Sequence, residues 1–254
     1  MAQPVTFSLR GVLFPYEKWN PLASSLAREY QSNQPFPHIR LKEFLHPEVA
    51  GSIAEEFPAT GTDAWTQYKH HNENKLGMAK RELFPPQLGA VADELNSPDF
   101  VAWLSVVTGI PGLMPDPSLE GGGMHQSGPG GFLNVHTDFS MHHYHKNWRR
   151  RVNVIVYLNP GWKEEWGGAI EFWEQKMRRC AAKYPPLLNH AVIFTNAEHR
   201  KMRTDRVGDV TRRQVRVVLF GHPRVGMAQL LGNDAHWHPA HGERRSMSMP
   251  KHME

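Results

Sequence analysis

A chain of 254 residues that is 40% hydrophobic and 21% charged has the apolar content to bury a core, in one large domain or two small ones. No apolar run approaches the roughly 18 to 20 residues of a membrane span, the opening MAQPVTFSLRG lacks the basic stretch and apolar core of a secretion signal, and the single cysteine, Cys180, excludes an internal disulfide framework and a Cys-rich metal site, so a cytoplasmic protein is expected. A net charge of +4 and a pI of about 9.2 are mildly basic, and the clusters at Arg149 to Arg151 and from Arg200 to Arg216 read as solvated faces or as cations for a small anion, so neither nucleic acid nor a membrane is an expected partner.

The first 110 residues carry mostly helical signals. Asn20-Pro21 reads as an N-cap with proline at the first helical position, followed by a helix through Leu22, Leu26 and Tyr30. A second helix is predicted from His46-Pro47 to Phe57, and a third from Pro86 to Leu95. Ser97-Pro98 starts a fourth through Phe100, Leu104 and Val107, ending near Gly109. After Pro111 glycines crowd at 121–123 and 128–131 and mark loops. Short strand-like runs then follow at Val152 to Leu158, Ala169 to Trp173, Ala191 to Thr195 and Gln214 to Phe220. Turns rather than helices separate them, which suits an antiparallel sandwich or barrel. The pattern fails after about Val225, where Met and His are frequent. One domain is expected, with a helical flank over 1–110, a β core over 111–225 and a C-terminal extension over 226–254.

The chemistry sits between Gly131 and Trp173. His136 and Asp138 form a His-x-Asp pair, and side chains at i and i+2 of an extended segment point to one side. Two imidazoles and one carboxylate on one face, with open positions opposite, suit a ferrous centre that activates oxygen. With 16 histidines in the chain the tripeptide alone is a weak signal; its context, a glycine loop before and a strand-turn-strand unit after, sets it apart. The pairs His46/Glu48, His71/Glu73, His241/Glu243 and His252/Glu254 read as surface or helix-end coincidences. The third ligand is expected on a later strand: His199, 63 residues after His136, with His190 as its competitor. A dicarboxylate co-substrate needs a cation, and arginine binds carboxylates bidentately. Arg212 opens the run RRQVRVVLF, 13 residues after His199.

With His136-Thr137-Asp138, Tyr157-Leu158-Asn159, Gly167-Gly168, His199 and Arg212 in this order, the chain resembles the iron(II)- and 2-oxoglutarate-dependent dioxygenases, in their prolyl-4-hydroxylase-like branch. The stretch GGGMHQSGPGGFLNVHTDF is similar to the Gly-rich loop and Asp-Phe of bacterial members, and the resemblance covers about residues 108–221. It implies a mainly β fold, a double-stranded β-helix (jelly-roll) core with an N-terminal helical layer. It further implies iron held by His136, Asp138 and His199, and 2-oxoglutarate gripped by Arg212 and Tyr157. By strand alternation Asn153 shares the face of Tyr157 and joins the co-substrate pocket. The chain departs from the family at Gln214, where a serine is common, at Arg200, where glycine is common, and at His190, where arginine is common.

The activity so implied is hydroxylation of a C–H bond with iron(II), 2-oxoglutarate and O2, releasing succinate and CO2, with ascorbate as reductant. Asp138 fills the position that related halogenating enzymes leave open for halide, which favours hydroxylation. A small molecule or amino acid is the expected substrate, and Gln126, His142 and Trp173 are the candidate substrate contacts, with His143 beside them. The alternatives are a protein prolyl hydroxylase of the same cofactor class, a cupin-type metal barrel without 2-oxoglutarate, a non-catalytic binding module and a nucleic-acid demethylase.

Overall fold

The computed structural model describes residues 13–138 and 141–195, together with the backbone of the strand at 212–221. Helices α1 (Tyr16–Trp19), α2 (Ala23–Ser32), α3 (Pro47–Glu55), α4 (Pro86–Glu94) and α5 (Pro98–Thr108) lie in the first half of the chain. Strands β1 (His38–Lys42), β2 (Thr66–His70) and β3 (Glu73–Met78) are interspersed among them. Then come β4 (Leu113–Met114), β5 (Gly123–Gln126), β6 (Phe132–Leu133), β7 (Trp148–Leu158), β8 (Ile170–Trp173), β9 (Cys180–Tyr184), β10 (His190–Thr195) and β11 (Arg212–Gly221).

The helix ends follow their capping chemistry. Ser97 Oγ accepts the Phe100 N–H at 3.2 Å, Pro98 occupies the first turn of α5, and Gly109 closes it in the left-handed region at φ 68°. Proline also opens α3 and α4. Asn20 departs from expectation. It ends α1, its N–H bonding the Tyr16 carbonyl, and α2 starts at Ala23.

The main sheet runs β1-β10-β7-β11-β5-β3-β2, with β4 on β11 and β6 on β3; β8 and β9 form a separate pair. Strand β11 runs parallel to β4, β5 and β7, and the remaining pairings are antiparallel. The helical reading of residues 1–110 is corrected here, because β1, β2 and β3 belong to the main sheet. Strands β2 and β3 carry mixed polar residues (TQYKH and ENKLGM) that leave no apolar alternation to read.

The sheet has two unlike faces, set by the period-two alternation of β7. Val152, Val154, Val156 and Leu158 enter the large core with the helices, joined by Ala191 and Ile193 of β10 and by Met78 and Met124. Phe14 centres an aromatic group in that core, with Phe44, Phe100 and Trp103 at ring distances of 5.1 to 5.2 Å. The opposite face carries Asn153, Ile155 and Tyr157, and there Tyr157 and Val192 pack with Phe172 of the β8–β9 pair. No helix among the described residues is long and apolar enough to cross a membrane.

Candidate metal centre

His136 and Asp138 follow β6 in extended chain. His136 Nε2 lies 3.4 Å from Asp138 Oδ1, so the two side chains do turn to one side. That spacing is near the roughly 3 Å expected between adjacent donors that each bind a metal at about 2.1 Å. The other ring nitrogen is committed: His136 Nδ1 is 2.8 Å from the Asn134 carbonyl oxygen, an acceptor only. Nδ1 therefore carries the proton and Nε2 presents its lone pair, the tautomer a metal-binding imidazole needs. The Asp138 hydrogen bond is the main influence raising the His136 pKa above its ordinary value, against burial and the nearby Lys75 ammonium. The His136 side chain is 40% exposed and that of Asp138 11%, which leaves the pair open on one side.

The register places this pair on the Tyr157 side of the sheet. Met78 and Met124 pair across β3 and β5 and point into the helix-side core, so Gly77 and His125, the adjacent pair, face the other way. Phe220 pairs with both His125 and Tyr157, which carries that face across to β7. On it Tyr157 lies opposite His190, and Asn153 opposite Phe194. Burial pushes the Tyr157 phenol well above its ordinary pKa.

Downstream of Asp138 the chain is tethered by carboxylates. Asp116 organises the approach to β5, its two oxygens accepting the N–H groups of Ser118 at 3.0 Å and Glu120 at 2.7 Å. Glu120 in turn holds two rings. One oxygen is 2.8 Å from His142 Nδ1 and the other meets His143 Nδ1. The buried Arg150 donates Nη2–H to the Glu120 carbonyl at 2.9 Å, and a side chain at Gly121 would crowd that guanidinium at 3.1 Å.

The remaining expected site residues divide. Asn153 and Tyr157 share one face, as alternation requires. Arg212 pairs with Trp148, at the far end of β7 from Tyr157, about 30 Å away at the rise of an extended strand. His199 lies outside the described residues, and among those described no three-donor metal group is assembled. Gln126 is on the helix-side face with Met124, buried, and donates to the Pro58 carbonyl at 3.1 Å. The His142 ring has no exposed surface. Trp173 ends β8 and donates Nε1–H to Glu171 at 3.0 Å. Asn134 and Glu120 are the contributors that sequence reasoning missed. Neither belongs to a recognisable motif, and both act through partners distant along the chain.

Comparison with known proteins adds the family. Residues 122–222 match the model of the 2OG-Fe(II) oxygenase superfamily. A search of curated proteins finds no match. Among solved structures a Pseudomonas putida prolyl-4-hydroxylase aligns at 15% identity and a TM-score of 0.47, covering 69% of this chain and 87% of that one. The matched segment contains His136, Asp138, Tyr157 and β11, and through it the chain belongs to the 2OG-Fe(II) oxygenases, whose chemistry uses iron(II), 2-oxoglutarate and O2.

Proposed function

We propose that the protein is a hydroxylase in which His136, Asp138 and His199 hold iron(II) within a jelly-roll core. The observation that carries this reading is the His136–Asp138 pair, with Nε2 and Oδ1 3.4 Å apart and Nδ1 already bonded to the Asn134 carbonyl. An imidazole and a carboxylate are the donor types a ferrous centre takes, so the two described residues fit the metal. When bound, iron and 2-oxoglutarate supply the oxidising power for C–H hydroxylation, with succinate and CO2 as co-products. The chain's own part is to hold and shelter them. Tyr157 offers a hydroxyl from a buried face and Asn153 an amide beside it, while the exposed edge of His136 leaves substrate an approach from solvent. Arg212 is proposed as the partner of the distal carboxylate. That assignment rests on its place in the motif, since the register sets it away from Tyr157. A small molecule or amino acid is the proposed substrate class.

Anaerobic titration with iron(II) and then 2-oxoglutarate tests the proposal. Chelation of a facial-triad iron by the keto acid should give a weak visible band at about 500 nm. Iron binding with no band sinks the oxygenase reading. His199→Ala should abolish iron binding; loss in His190→Ala instead moves the third ligand to His190. Arg212→Ala should weaken 2-oxoglutarate at least about tenfold more than iron. Succinate release scored across metabolites, amino acids and proline-containing peptides then identifies the substrate class, and turnover of the peptides alone would replace the small-molecule reading.

A further inference from the structure

We propose that Asn134 is a positioning residue that ties the metal-binding histidine to the β2–β3 hairpin. Three hydrogen bonds meet at this one residue. Its main-chain N–H donates to the Asn72 carbonyl at 2.8 Å, and its side-chain Nδ2–H donates to the His71 carbonyl at 3.1 Å. Its own carbonyl accepts the His136 Nδ1–H at 2.8 Å. His71 and Asn72 are the turn between β2 and β3, so the oxygen that orients His136 is held by the tip of a hairpin more than 60 residues earlier in the chain.

The hairpin is built to hold still. Strand β2 pairs with β3 over five residue pairs, and Glu73 receives both His70 and Lys75 at 2.8 Å. Strand β3 also carries β6 through Glu73–Leu133 and Asn74–Phe132, immediately before Asn134. A carbonyl attached to a braced turn fixes the rotation of the imidazole and keeps Nε2 aimed to the side of Asp138. Loss of such an outer partner commonly weakens metal binding 10- to 100-fold. Because the Asn134 side chain is exposed, its removal costs no core packing. This inference rests on the iron-site reading above.

The test uses the full chain freed of metal, with Co(II) as a spectroscopic probe under anaerobic conditions. Asn134→Ala should bind Co(II) about tenfold more weakly than the parent and show an altered visible Co(II) band at saturation, while the melting temperature of the metal-free protein is unchanged. Asn74→Ala is the control, since Asn74 Nδ2–H bonds the Gly130 carbonyl from the same hairpin without touching the His136 line; it should stay within about twofold of the parent. An Asn134→Ala affinity equal to the parent's, or an equal loss in Asn74→Ala, overturns the inference while leaving the iron reading intact. A parent chain that binds no Co(II) overturns both.

Discussion

His38 shows how a single residue can be read in two ways. In the sequence it is one of 16 histidines. In the fold it is 1% exposed on β1, with Nδ1–H donating to the Phe36 carbonyl and Nε2 accepting the Tyr184 hydroxyl, both at 2.8 Å. That arrangement satisfies a neutral ring, and burial holds the imidazole below its ordinary pKa of about 6.5. Between the folded and unfolded values the unfolded chain binds more protons, so stability falls as pH drops through about 6.5. The metal-free protein should therefore lose melting temperature between about pH 7 and pH 5, and His38→Gln should lose less over the same interval. Parallel curves for the two proteins would remove His38 as the cause. The His-x-Asp pair was legible because both its members and its geometry are local, whereas Asn134 was not, because its partners at 71 and 72 are brought to it only by strand pairing.

Strand β5 raises the corresponding question for an element. Gly123 has φ +86°, and a Cβ there would overlap the Met78 carbonyl oxygen on β3. The close approach of β3 and β5 at this point is also what sets Gly77 and His125 on the site face. Gly123→Ala should destabilise the protein by about 1–3 kcal/mol in urea unfolding, since both the backbone conformation and the space oppose a side chain. Gly51, in the middle of α3 with nothing within 4 Å, predicts the opposite sign. Gly51→Ala should stabilise by about 0.5–1 kcal/mol. Equal effects at the two positions would show that close packing at β5 is not the determinant. The glycine run 121–123 was read from sequence as loop, yet Gly123 begins a buried strand. Composition alone cannot separate a flexible glycine from one required by a close backbone approach.

Over the whole molecule, metal binding should act as a stability term because the donors converge only in the folded chain. Iron(II) or Co(II) at about 100 times its Kd should add about 2.7 kcal/mol, a rise of about 5–10 °C in melting temperature for a chain of this size. His136→Ala should show none of that rise; an equal rise in the variant would place the metal elsewhere. What the sequence by itself determined is local: α3 and α4 from their prolines, α5 from Ser97 and Gly109, the apolar strands β7 and β10, and the His136–Asp138 pair with its family. Helical capping and alternation act over a few residues and can be read in order. Tertiary structure alone decided the rest. It drew β1, β2 and β3 from a stretch that read as helical, put Gln126 on the opposite face from Tyr157, and brought the His71–Asn72 turn against Asn134. Those outcomes depend on which strand pairs with which and in what register, and a one-residue shift in pairing exchanges the faces of a sheet.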